Sequence, residues 1–171
     1  MEEIINIAMA DQDVEAALEA AHWEYNQGIL ENKPAHILAF YQKWTACDFE
    51  ERDNPKGHVT KREEMLSLIE QVVESGGLGG FSAVLKATST VTELILDGDR
   101  AAVAVTNNYR YRQADAHGWY GIIGEEHEIE TKGHWRETWV RVNEDWQLQL
   151  SQLLSNQTYV DGVMHAPEQM E

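Results

Sequence analysis

Residues 133–154, GHWRETWVRVNEDWQLQLSQLL, read as two long strands folded back on each other about the polar turn Asn143-Glu144-Asp145. On the first strand one face takes His134, Arg136, Thr138, Val140 and Val142, and the other takes Trp135, Glu137, Trp139 and Arg141. On the second, Trp146, Leu148, Leu150, Gln152 and Leu154 alternate with Gln147, Gln149, Ser151 and Leu153. Neither face is wholly polar, so both need cover, with helices expected on one side and a partner subunit on the other.

The chain before this hairpin supplies the helices. Residues 1–10 read as a loosely held leader. From Asp11 or Asp13, either able to cap, Val14, Leu18, Ala21, His22, Tyr25 and Ile29 keep helical spacing to about Leu30. Pro34 then suits the first turn of a second helix with Ile37, Phe40, Tyr41 and Trp44 along one side. Residues 47–53, CDFEERD, read as a short strand and Asn54-Pro55-Lys56-Gly57 as a turn. Thr60-Lys61-Arg62-Glu63 reads as a capping box opening a third helix, which Gly76-Gly77 stops. Residues 83–96 and 101–112 are β-rich segments joined at Asp97-Gly98-Asp99. A long connection over 113–132 follows, of which EEHEIET extends the next strand, and the tail from Asn156 reads as irregular. Three helices with one early strand, then a meander of long strands, is an α+β order with helices laid on one face of a curved sheet.

Composition narrows the function classes. A chain of 171 residues with 43% hydrophobic content is expected to be one domain over 1–171, its core about 13–155 between irregular tails. Thirty acidic against 13 basic residues give a formal charge of −17, which repels phosphate backbones and anionic membranes, so neither nucleic acid nor membrane is an expected partner. No stretch approaches the roughly 20 apolar residues of a membrane span, and the N-terminus MEEIINIAMADQD is acidic where a secretory signal would be basic. The single Cys47 excludes an internal disulfide and a multi-cysteine metal site, and together these features predict a cytoplasmic protein. Glu125, Glu126, His127 and His134 have the chemistry of metal ligands but no recognised spacing, and read as a solvated strand edge, so no metal and no cofactor is expected.

This order of elements resembles the nuclear transport factor 2-like superfamily, and within it the SnoaL-like and ketosteroid isomerase-like small proteins. The residues that carry the resemblance are ACDFEERDNPKGHVTKREEML at 46–66 and WRETWVRVNEDWQLQLSQ at 135–152. It implies a cone-shaped antiparallel or mixed sheet wrapped around three N-terminal helices, a pocket at the open end, and a homodimer through the convex sheet face. Members include isomerases, dehydratases and cyclases as well as non-catalytic association domains. Catalytic members place a tyrosine on the first helix and a carboxylate near the end of the first strand, which by offset are Tyr25 and Asp53 here. The isomerase branch carries a second acid on the strand equivalent to 134–142, and by register that place is Thr138.

Such a pair has a clear chemistry. A carboxylate in an apolar cavity takes a proton from carbon beside a carbonyl, and a tyrosine hydroxyl donates to the oxyanion that forms. The candidate catalytic residues are therefore Asp53, His22 and Tyr25. If the interior takes the Val140 face, His134, Arg136 and Thr138 join Tyr109, Asn107 and Gln152 as candidate binding residues. Each also has a structural reading: helix–sheet packing for His22 and Tyr25, a turn role for Asp53, and an ion pair with Glu51 or Asp53 for Arg136. The expected function is a small-molecule-binding cone protein, a cofactor-independent lyase, isomerase or cyclase acting on a small apolar carbonyl or hydroxyl compound. The alternative is a non-catalytic ligand-binding or association module.

Overall fold

The computed structural model describes residues 2–53, 57–76 and 81–165, and for residues 2–12 and 81 the backbone alone. In chain order the elements are α1 (Glu2–Leu30), α2 (Pro34–Trp44), β1 (Thr45–Asp53), β2 (His58–Lys61), α3 (Arg62–Ser75), β3 (Phe81–Asp97), β4 (Arg100–Ala114), β5 (Glu126–Val142), β6 (Asp145–Val160) and β7 (Val163–His165). The strands make one mixed sheet in the order β2-β1-β6-β5-β4-β3, with β7 beside β6. The β1–β6 pair is parallel and the other pairs are antiparallel. This is the expected α+β architecture.

The helical spacing reads correctly onto the core. Val14, Leu18 and Ala21 of α1 are buried, as are Ile37, Phe40 and Tyr41 of α2. They pack on Val103 and Val105 of β4, Trp139 of β5, and Trp146 and Leu148 of β6. The β5–β6 turn is tighter than the sequence suggested. Asn143 and Glu144 both have positive φ, 50° and 71°, which is the two-residue turn whose twist matches its strands, and Asp145 already belongs to β6.

Gly28 sets the α1–α2 approach. A Cβ placed there would lie 2.9 Å from Ile37 Cγ1 and 3.3 Å from His36 Cβ. Ile37 is buried and β-branched, with little freedom to move aside. The helix-propensity gain of about 1 kcal/mol for alanine over glycine is therefore outweighed by overpacking of about 1–3 kcal/mol. Gly28→Ala is expected to lower the urea midpoint, and a raised midpoint would show that the two helices have room to part.

Several expectations are corrected. The backbone of α1 is helical from Glu2, so residues 2–10 are not a separate leader and neither Asp11 nor Asp13 starts the helix. The capping box is not formed, because Thr60 pairs in β2 and the residue capping α3 is Lys61, without a side-chain cap bond. The C-terminal tail is not irregular from Asn156, since β6 continues to Val160 and turns into β7. The connection of 113–132 shrinks to 115–125, with strand on either side. It is folded on Asp115, whose carboxylate accepts from the Trp119 and Tyr120 amides at 2.9 and 2.8 Å. His127 is no solvated edge residue either: it is buried, with Nδ1 2.6 Å from Asp161 Oδ2. The turn residues Asn54, Pro55 and Lys56, and Gly77, lie outside the described residues.

The correction with most bearing on function concerns sheet faces. Over residues 134–140 of β5 the buried residues are Glu137 and Trp139, with Trp135 beside them, whereas His134 and Arg136 are exposed. The concave face is thus the tryptophan face, not the Val140 face. On β6 the alternation breaks twice. Trp139 pairs with Leu148 but Thr138 with Leu150, and Trp135 pairs with Leu153 but His134 with Ser155, so Gln149 and Leu154 are extra residues. Leu148 and Ser151 therefore share the inner side, three residues apart.

Candidate functional site

The inner face of the sheet and the underside of α1 and α2 enclose a chamber of about 90 Å³. Its polar wall comes from His22 and Tyr25 on α1, Tyr41 on α2, Glu51 on β1, Ser89 on β3, Asn107 and Tyr109 on β4, and Glu137 on β5. Phe40, Trp135 and Leu148 supply apolar wall. Gly133 makes room for this wall, since a Cβ there would meet Trp135 Nε1 at 2.9 Å.

His22 and Glu137 form a dyad. His22 Nε2 lies 3.0 Å from each carboxylate oxygen of Glu137, and Trp139 Nε1 donates to Oε2 of the same carboxylate at 2.8 Å. A carboxylate accepts and cannot donate, so it fixes the proton of a neutral imidazole on Nε2 and leaves the lone pair on Nδ1. Glu137 is 8% exposed and Trp139 fully buried, so the orientation of His22 is held from inside the core.

Glu51 is the other carboxyl of the chamber. Burial, with a smaller contribution from the Asp53 charge, pushes it up to about 7. At neutral pH it is thus poised between a proton donor and a proton acceptor. The tyrosines stay protonated: burial pushes Tyr25 up to about 12, and Tyr41 and Tyr109 well above their ordinary value, with the negative charge of Glu51 adding to each. Tyr109 donates to Asn26 Oδ1 at 3.3 Å, Asn26 Nδ2 to Ser89 Oγ at 3.0 Å, and Ser89 Oγ to Asn107 Oδ1 at 2.9 Å. The Tyr25 and Tyr41 rings meet edge to face at 6.2 Å between centroids, and both protonated hydroxyls belong to the chamber wall.

The structure brings together four of the residues named from sequence: His22, Tyr25, Asn107 and Tyr109 line the chamber. Asp53 does not. It is the last residue of β1, paired with His58 and Leu153, and it acts on the chamber through its charge on Glu51. His134, Arg136, Thr138 and Gln152 lie on the outer face in register with Thr106, Ala104, Ala102 and Arg52. Arg136 therefore forms no ion pair inside the cone. Two carboxylates of the chamber were not among the candidate site residues: Glu137, and Glu51, which the sequence offered only as an ion-pair partner for Arg136. Glu51 is two residues before Asp53 on the same side of β1, and Glu137 is the neighbour of Thr138 on the opposite face. A signal for Glu137 existed in its place between Trp135 and Trp139, an acid within an aromatic row.

No known sequence family matches the chain, and no curated protein does. Solved structures do match in shape. A hexachlorocyclohexane dehydrochlorinase (LinA, type 2) superposes with a TM-score of 0.62 at 13% identity, over 92% of this chain and 97% of that one. A putative scytalone dehydratase from Novosphingobium aromaticivorans gives 0.58 at 16% identity, over 93% and 91%. A nuclear transport factor 2-like superfamily protein from Salmonella enterica gives 0.54 at 14% identity, over 85% and 91%. The fold is that of the nuclear transport factor 2-like proteins. Among the described residues no helix is long and apolar enough to cross a membrane.

Proposed function

We propose that the chain is an acid–base lyase or isomerase acting on a small, largely apolar carbonyl or hydroxyl compound. The observation that carries this is a carboxyl at about 7, Glu51, lining the same cavity as an imidazole oriented by a second, buried carboxylate. His22 Nδ1 takes a proton from the carbon beside a carbonyl. Tyr25 donates to the carbonyl oxygen as it gains negative charge. Protonated Glu51 then gives up its proton. Delivered to another carbon, that proton completes an isomerisation; delivered to a departing hydroxyl, it completes the elimination of water. Two solved structures of this shape are described as a dehydrochlorinase and a putative dehydratase, both eliminations, which supports the reading without fixing a substrate.

The test is a panel of hydroxylated and unsaturated ketones followed by the change in enone absorbance. His22→Ala and Glu51→Gln are each expected to lower kcat by about 100-fold or more, the usual loss when a positioned proton-transfer group is removed. The wild-type rate is expected to fall as pH rises through about 7, because the proton of Glu51 is spent above it. Retention of the rate by both variants would overturn the assignment. A second reading, a ligand-binding or association module, is supported by how far Phe40, Tyr25, Tyr41 and Trp135 already fill the space. Ligand binding without turnover across the panel would favour it. A second copy on the convex face is the corresponding proposal for assembly, and sedimentation of the purified chain as a monomer would count against it.

A further inference from the structure

The chamber of about 90 Å³ is too small for a whole drug-sized ligand, which needs roughly 300–1,000 Å³. It does not stand alone. His22 and Ser89 also line a second space, a cleft of about 660 Å³ between α1 and the edge strand β3. The apolar wall of the cleft includes Leu18, Trp23, Ala87, Val91 and Leu94. Trp23 is 62% exposed, an uncommon placement for an indole that contributes little to the core. The hydrogen bond from Asn26 to Ser89, 3.0 Å, joins α1 to β3 where the two spaces meet, and Asn26 is 6% exposed. This bond holds the helix and the strand at a fixed separation, and His22, four residues earlier on α1, is the titratable group common to both spaces.

The charges of the cleft all have one sign. Glu15 and Glu19 line it one helical turn apart, Glu51 and Glu137 lie deeper in the chamber, and among the described lining residues of either space there is no lysine or arginine. An anion entering would meet carboxylates in a place with little water to screen them.

We propose that the α1–β3 cleft is the recognition site for the body of an uncharged, largely apolar molecule, whose polar end reaches His22, and that its carboxylates reject anionic ligands. The role of the polar end rests on the reading of the chamber given above; the binding of the body does not. The cleft thus decides which molecules arrive, and the chamber what happens to one end of them.

Two probes of equal shape test this by calorimetry on the intact chain at about pH 8: 2-naphthylmethanol, uncharged, and 2-naphthoate, an anion at that pH. The alcohol is expected to bind about tenfold more tightly than the carboxylate or better. Thr90→Trp, on an exposed lining position, and Ala87→Trp, on a half-buried one, are each expected to weaken the alcohol about tenfold by filling the cleft. The double variant Glu15→Lys, Glu19→Lys is expected to bring the two probes within about threefold of each other. Equal binding of the two probes to the wild type, or unchanged alcohol binding in both tryptophan variants, would overturn the proposal. Failure of the chamber reading looks different: the alcohol binds, and the tryptophan variants weaken it as described, yet no ketone is turned over.

Discussion

Glu51→Gln is expected to be more stable than the wild type at alkaline pH and to lose that advantage in acid. The carboxyl has an ordinary value of 4.5 and is pushed up to about 7 in the fold, first by burial and then by Asp53. Between those values the folded chain keeps a proton that the unfolded chain releases, so the stability linked to this proton is complete below 4.5 and lost as pH rises through about 7. Each unit is worth about 1.4 kcal/mol, so the wild type loses about 3 kcal/mol across the window. Glutamine has the same shape and no proton to lose. The difference in unfolding free energy between variant and wild type should therefore grow by about 3 kcal/mol from pH 4 to pH 8, read from urea midpoints at a series of pH values. Two curves that run parallel throughout would mean that the carboxyl sits in water. Asp53→Asn serves as the companion: removing its charge lowers the folded value of Glu51, so the loss still begins near 4.5 but ends at a lower pH and is smaller than in the wild type.

Helices and strands differ in how much of this site could be read from the chain. The helical residues were legible because a 3.6-residue period tolerates error: Val14, Leu18, Ala21, His22 and Tyr25 all face the sheet whichever residue starts α1, and α1 in fact starts at Glu2. A strand has no such tolerance. A shift of one residue exchanges its faces entirely, and assigning the interior to Val140 in place of Trp139 sent His134, Arg136 and Thr138 inward and Glu137 outward. On β6 no uniform period would have served, because the extra residues Gln149 and Leu154 switch the alternation twice within the strand. Bulges leave no composition signal as plain as a glycine turn. Glu51 was hidden by a different cause, distance along a strand rather than its face. Asp53 shares its side of β1, and only the depth to which the helices cover the strand separates the residue in the chamber from the one at its rim.

The two wall carboxylates also divide the chemistry, because they are held differently. Glu137 is engaged by two donors, His22 and Trp139, and so acts on a ligand only through the imidazole it orients. Glu51 owes its shifted value to burial and to a like charge, with no donor among the causes, so its proton remains available to a ligand. One acid therefore fixes a base, and the other exchanges a proton near neutrality. An arrangement with both carboxylates equally satisfied would have offered no acid at neutral pH.

That division predicts two different results at Glu137. In Glu137→Ala, Trp139 Nε1 loses its acceptor while its ring stays fully buried, and His22 loses its partner at the same time. Stranding a buried donor costs about 1–3 kcal/mol, and the vacated side-chain volume adds to it, so a loss of about 3–5 kcal/mol is expected, most of what a domain of this size has in hand. Glu137→Gln should be far milder, about 1 kcal/mol, because the amide oxygen still accepts from Trp139. Its effect falls on the imidazole instead. The amide nitrogen can only donate, so it faces Nε2 of His22 as a donor and drives the proton of the neutral ring from Nε2 to Nδ1, the nitrogen proposed as the base. In nitrogen NMR spectra of labelled histidine, the wild type should show the Nε2–H form at His22 and the glutamine variant the Nδ1–H form. The variant should then lose turnover about as fully as His22→Ala while unfolding close to the wild-type midpoint. A glutamine variant that keeps the Nε2–H form and its rate would remove Glu137 from any role in orienting the base, and with it the assignment of Nδ1 as the atom that takes the proton.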